Sequence, residues 1–339
     1  MVVQALLLLT GLGLILLAAE FFTNGIEEFG RHFSFSQAVV GSIFAAVGTA
    51  LPETILPCVA IFMYGGASAK QIGVGAILGA PFMLSTLAFF LVGVTVTIAA
   101  LKKKRRFVLQ VEAHAIKRDL IFFLAMYSTA IILPIVAGKA MLIPISLSLV
   151  AGYMFYAYRT FRSESADMEH AEGMYFWRIT KRLKTSLLRD RPPLNLILFQ
   201  VALALVVMIK GAHTFVQSLE FVSVTFGMDP LLFSLLLAPV ATELPEKFNS
   251  ITWTWKGRDT LALGNITGAM VFQSTFPVSV GLLFTEWQIT GMALFSAVLA
   301  ISSALIVLGV ILVNKRISPL AVLFGGMLYL VYAVVLVFT

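Results

Sequence analysis

Two glutamates occupy positions where a carboxylate is expensive. Gly48-Thr49-Ala50-Leu51-Pro52-Glu53 and Ala241-Thr242-Glu243-Leu244-Pro245-Glu246 stand 193 residues apart, each inside an apolar run. A charge at bilayer depth costs at least ~2.5–3.5 kcal/mol, and a proline inside a helix removes a backbone donor and frees carbonyl oxygens. Those carbonyls, the hydroxyls of Thr49 and Thr242, and the carboxylates of Glu53, Glu246 and Glu243 make an oxygen set suited to hard cations. Ca²⁺, for example, takes ~6–8 oxygen ligands. Two facing copies would bring Glu53 and Glu246 together, and such a pair neutralises one divalent ion, with a proton as the alternative occupant. A lone buried glutamate could simply be bonded to a neighbouring helix. A Pro-Glu pair repeated at matching positions points instead to a duplicated ion site.

These residues need a membrane to sit in. The chain has 339 residues, 59% hydrophobic and 12% charged, with a mean hydropathy of +0.96. Soluble domains carry about 25% charged residues, so the composition is that of a polytopic, all-α integral membrane protein. The first apolar run lacks the basic flank of a cleaved signal and is read as a retained helix. The single cysteine, Cys58, excludes an intramolecular disulfide and a Cys-based zinc site. No HExxH motif and no intramembrane Ser/His arrangement is present, so the sequence is not read as an enzyme and implies no cofactor.

Hydropathy broken at charge and turn signals predicts ten transmembrane helices: 3–26, 36–63, 71–98, 119–137, 140–160, 195–219, 230–254, 261–284, 289–313 and 318–338. The third and eighth are long and glycine-bearing, which predicts a kink or tilt in each. Of the 24 Lys and Arg, 20 fall in the odd-numbered connections, two in the even ones and two (Lys210 and Lys247) inside spans. This excess places the odd connections in the cytoplasm and both termini outside or in the periplasm of a plasma or inner membrane. It also explains the net charge of +7 without nucleic acid as a partner. Five spans per half invert the second half relative to the first: residues 1–160 form the first five-helix repeat, 161–193 a cytoplasmic linker, and 194–339 the second, inverted repeat. Gly79-Ala80-Pro81-Phe82-Met83-Leu84-Ser85-Thr86 aligning with Gly268-Ala269-Met270-Val271-Phe272-Gln273-Ser274-Thr275 supports that halving. Inverted repeats are the architecture of secondary transporters.

The motifs resemble a known family. Gly48-Thr49-Ala50-Leu51-Pro52-Glu53 is similar to the G-T-S-L-P-E signature of the sodium/calcium exchanger family, within the calcium/cation antiporters. Gly264-Asn265-Ile266-Thr267-Gly268-Ala269 is similar to its second signature. The resemblance implies alternating-access exchange of Ca²⁺ against Na⁺ or H⁺, with the first and sixth helices sliding on a core of the other eight. It also implies a ligand role for Gln273, whose first-repeat counterpart is Leu84. The family's serine before Leu-Pro-Glu is Ala50 in the first copy and Glu243 in the second, and its serine after glycine is Ala80 and Ala269. The first copy is thus thinned of oxygens while the second gains a carboxylate, so a non-exchanging relative (a uniporter, a channel-like pathway or a sensor) stays open beside the antiporter.

Other polar residues are weaker signals. Glu20, Asn24, Glu27, His213, Gln217 and Glu220 lie on the first and sixth predicted helices, with Asn24 and Gln217 candidates to line a cavity. Lys247, next to Glu246, could neutralise one of the acidic residues as a tethered cation, but neighbouring side chains stand about 100° apart round an ideal helix, so it is expected to face elsewhere or to snorkel. Trp253 and Trp255 beside Lys256 and Arg258 read as an interfacial anchor. Met174 to Leu188 reads as a candidate amphipathic helix on the inner leaflet, with membrane lipids as partners. Nothing in the sequence specifies an oligomeric state.

Overall fold

A computed structural model describes residues 2–33, 46–163, 174–176 and 192–338. Among these residues the regular structure is entirely helical. We number the helices α1 (Val2–His32), α2 (Ala46–Cys58), α3 (Ala67–Met83), α4 (Phe89–Leu101), α5 (Ala113–Ala137), α6 (Leu142–Ser163), α7 (Leu194–Thr225), α8 (Pro230–Thr242), α9 (Leu244–Trp255), α10 (Asp259–Gln273), α11 (Phe276–Phe284), α12 (Gly291–Asn314) and α13 (Pro319–Phe338). Among the described residues, seven helical stretches are long and apolar enough to cross a membrane. Of the predicted spans beyond those seven, the second and seventh hold only shorter apolar helices, whereas the fifth is the unbroken 22-residue α6. The part of the second predicted span before residue 46 lies outside the described residues.

The interruptions differ between the two copies of the Pro-Glu motif. Helix α2 runs through Pro52-Glu53 unbroken and ends in a π-helical turn, Val59–Tyr64. In the second copy the helix stops: α8 ends at Thr242, Glu243 takes φ −92° and ψ 10°, and α9 restarts with Pro245 in its first turn. Proline is favoured there because its missing N–H would have no partner in a first turn anyway. The third and eighth predicted spans, expected to be kinked or tilted, each depart from regular α-helix partway along, in two forms. Residues α3 to α4 stay continuous through a π turn, Leu84–Ala88, following Pro81. By contrast, α10 and α11 are separated at Ser274-Thr275, with Thr275 at φ −120° and ψ −75°.

Two close helix pairs organise the molecule. Helix α1 lies along α7, and a Cβ at Gly11 would come within 2.9 Å of the Gly211 carbonyl. Helix α3 lies along α8, where a Cβ at Gly79 would stand 2.1 Å from the Leu235 carbonyl and 2.6 Å from Pro239 Cγ. Lipid tails offer no hydrophobic drive between helices, so such backbone-to-backbone approach is what holds them. Gly79→Ala, whose methyl must displace backbone, is expected to destabilise the protein by about 1–3 kcal/mol. Thermal unfolding in detergent checks this against Gly13→Ala, where nothing lies within 4 Å of the added methyl. Equal midpoints for the two variants would refute the close-packing account.

Candidate ion-binding site

The α3–α8 contact places the motif residues in the protein interior. Glu53, Glu243 and Glu246 are 6%, 0% and 5% exposed. A small cavity of about 10 Å³ is lined by Glu53, Leu56 and Pro57 of α2, Ala76 of α3, and Ala238, Pro239 and Thr242 of α8. That volume holds about one water-sized occupant. The Glu53 carboxylate lies within Coulombic range of Glu246, Glu243 and Lys247.

Buried polar atoms are nearly always hydrogen-bonded, so orphans are informative. Glu53 Oε2, Glu243 Oε1, Glu246 Oε2 and Gln273 Oε1 are buried without a hydrogen-bond partner among the described residues. Thr242 is buried and donates its hydroxyl to the Ala238 carbonyl at 3.2 Å, a bond within its own helix. Gln273 closes α10 at the break before α11. The Thr49 side chain lies outside the described residues. Among the described residues, no three His, Cys, Asp or Glu side chains converge closely enough to hold a metal ion together. The three glutamates therefore share a buried region rather than a finished three-carboxylate cage.

Lys247 corrects the expectation drawn from helix geometry. It is buried, at 6% exposure, and neither snorkels nor faces away. Its ammonium donates to Glu243 Oε2 at 2.9 Å and to the Pro239 carbonyl at 3.2 Å, and sits 3.2 Å from Met83 Sδ. The relevant neighbour is Glu243, four residues back and one turn away, not Glu246. That spacing was readable in the sequence, whereas the participation of Met83, 164 residues distant, was not.

Supporting contacts surround this centre. Asn265, in the second motif, donates to the Glu246 carbonyl at 3.3 Å and to Ser250 Oγ at 3.4 Å, tying α10 to α9. Thr267 of the same motif donates to Asp119 Oδ2 at 2.8 Å, while Tyr156 and Arg118 donate to Asp119 Oδ1. At the ends of α4, α9 and α10, Arg105 binds both oxygens of buried Asp259 and the carbonyls of Thr254 and Val108. The hydrogen bonds that Arg105 donates to Asp259 raise the pKa of its guanidinium above the ordinary value, although partial burial opposes it. Trp255 is covered by the Lys102 and Lys104 ammoniums, 5.6 and 4.6 Å from its ring centre, which refines the expected interfacial anchor into a cation–π stack.

Asn24 acts differently from the cavity-lining role expected of it. Asn24 Oδ1 accepts from the Tyr175 N–H at 2.9 Å and from Gln200 Nε2 at 3.1 Å, and Gln217 is exposed. Tyr175 also donates its hydroxyl to Glu20, and the Phe176 N–H donates to Gln200 Oε1 at 3.1 Å. Residues 174–176 of the long central connection are thus held against α1 and α7, with Met174 buried. The remainder of the expected amphipathic segment, 177–188, lies outside the described residues. His213 meets Tyr64 edge to face, with ring centres 5.3 Å apart.

Comparison with known proteins adds an independent line. The model of the family described as "Sodium/calcium exchanger protein" matches residues 3–162 and 196–339. A protein named putative antiporter CaxA, from Alkalimonas amylolytica, is 24% identical over 301 residues, covering 86% of this chain and 84% of its own. An uncharacterised membrane protein of Methanocaldococcus jannaschii is 23% identical over 299 residues, covering 88% and 87%. Among solved structures, the H⁺/Ca²⁺ exchanger CAX superposes with a TM-score of 0.72 at 18% identity, covering 98% of this chain and 82% of that one. The sodium-calcium exchanger NCX_Mj superposes at 0.57 and 19% identity, covering 98% and 99%. At these identities the structural likeness speaks for the fold.

Proposed function

Because the chain belongs to the sodium/calcium exchanger protein family, we propose that it is a secondary cation antiporter that exchanges Ca²⁺ for Na⁺ or H⁺ by alternating access. It is an integral, multi-pass membrane protein, and its family is one of transporters rather than enzymes. The observation that carries the proposal is the pair of buried, unpartnered carboxylate oxygens, Glu53 Oε2 and Glu246 Oε2. Uncompensated carboxylates in a membrane interior are costly, and a bound cation is the compensation that also gives them a use. In this reading Glu53 and Glu246 supply the charge. Thr49, Thr242, Gln273 and the free oxygen of Glu243 are the further candidate ligands, and the cavity between α2, α3 and α8 is the dehydrated seat.

The proposal includes ten spans arranged as two inverted five-helix repeats, 1–160 and 194–339, joined by a cytoplasmic linker, 161–193, with both termini outside. The halves meet where α3 crosses α8, and α1 with α7 forms the pair that moves. What supports treating α1 and α7 as one unit is the close backbone approach at Gly11 and Gly211, with Ile15, Phe22, Met208 and Phe215 buried in one cluster.

Flux into inside-out vesicles tests the function. Ca²⁺ uptake is expected to require an opposing Na⁺ or pH gradient and to drive the counter-ion the other way. Uptake that needs neither gradient and moves no counter-ion would replace the antiporter with the uniporter or channel-like reading. That alternative draws on the apolar Leu84 and Ala80, both buried, in the first copy.

A further inference from the structure

The buried ammonium of Lys247 has no place in the exchange chemistry described so far. Its three donors face a carboxylate oxygen, a backbone carbonyl and a thioether: Glu243 Oε2, Pro239 O and Met83 Sδ. Two of these are the oxygens that a bound alkali cation would seek. The third is a soft sulfur that hard cations avoid but an ammonium tolerates. The position is therefore finished for a permanent cation, one tethered to the chain. Glu243 is fully buried and gives this ammonium one oxygen, Oε2, while its Oε1, like one oxygen each of Glu53 and Glu246, is buried without a partner; of the three carboxylates it is Glu243 that is ion-paired to Lys247 among the described residues.

We propose that Lys247 is a resident cation of the transport site: it neutralises Glu243, so the charge available to mobile ions is the two carboxylates Glu53 and Glu246, and the cargo is held to two positive charges at a time. One divalent ion, or two monovalent cations, balances that pair. Lys247 is thus a specificity-determining residue, and Glu243 its counter-charge rather than a full ligand. The inference rests on the antiporter reading for its word "cargo", but not for its charge arithmetic.

Charge-paired variants of the purified full chain test it, with equilibrium binding of Ca²⁺ and of Na⁺ as the readout. Glu243→Gln leaves the ammonium facing the pair and is expected to weaken Ca²⁺ binding by at least about tenfold, since a desolvated like charge is repulsive at short range. Lys247→Met adds an uncompensated carboxylate and is expected to raise the number of Na⁺ ions bound at saturation. The double variant Glu243→Gln/Lys247→Met restores the net charge and is expected to bind Ca²⁺ more tightly than Glu243→Gln does. The double variant buries neither charge, so it is the variant expected to fold best should a single one aggregate.

Singles that bind as the parent does would overturn the proposal. So would a monodisperse double variant that binds no better than Glu243→Gln, or a parent chain that binds neither ion. The predicted pattern in a parent that binds but does not exchange would support the charge assignment and defeat only the antiporter reading.

Discussion

Glu246→Gln is expected to abolish cation exchange while leaving the protein folded, and Glu53→Gln to do the same. Glutamine keeps the size of the side chain and one oxygen, so what the change removes is the charge. Both carboxylates are almost entirely buried, and each carries an oxygen with no protein partner. A desolvated cation deprived of such a charge loses about 3 kcal/mol or more, which is at least about a hundredfold in binding. Radiolabelled Ca²⁺ uptake into proteoliposomes, alongside size-exclusion of the same preparation, reads both halves of the prediction. Wild-type uptake by either glutamine variant would remove that residue from the site. Loss of uptake with aggregation would show a structural role instead.

The second large effect is on stability. Arg105→Ala is expected to destabilise the protein by about 3–5 kcal/mol, because it strands a buried carboxylate. Asp259 is 0% exposed, and among the described residues the donor its carboxylate keeps without Arg105 is the Gln110 N–H, at 2.8 Å. The same guanidinium also caps the Thr254 and Val108 carbonyls, so its removal loosens the connection between α4 and α5 as well as the turn between α9 and α10. Arg105→Met/Asp259→Leu, which removes both charges, is expected to recover part of the loss. Unfolding in detergent measures all three proteins. An unchanged midpoint for Arg105→Ala would mean that backbone donors alone hold Asp259.

These two predictions differ in how far the residues behind them could be read beforehand. Glu53 and Glu246 announce themselves, because a Pro-Glu pair in an apolar run violates hydropathy and backbone rules together, and does so twice. Arg105 was legible only as part of a basic connection. Its partner lies 154 residues away at the start of another helix, and no local pattern encodes a pairing over that distance. Asn24 shows the converse. A polar residue on a membrane helix suggested a cavity, yet it is used to fasten residues 174–176 and Gln200.

The sequence by itself determined the all-helical membrane class, the family, and the two glutamates on which the proposed function turns. Each follows from local chemistry: apolar length, proline placement, and charge where charge is costly. Only the tertiary structure decided what the second copy's extra charges do. Helix α8 stops at Thr242 and α9 restarts after Glu243, while the glycines of α3 let its backbone come close enough to α8 to bring Met83 beside the Pro239 carbonyl. Lys247 then has a carboxylate, a carbonyl and a sulfur within reach, and so stays buried. An ideal-helix angle between neighbouring residues carries no information about such a seat, because the seat is built from three segments that meet only when the chain folds.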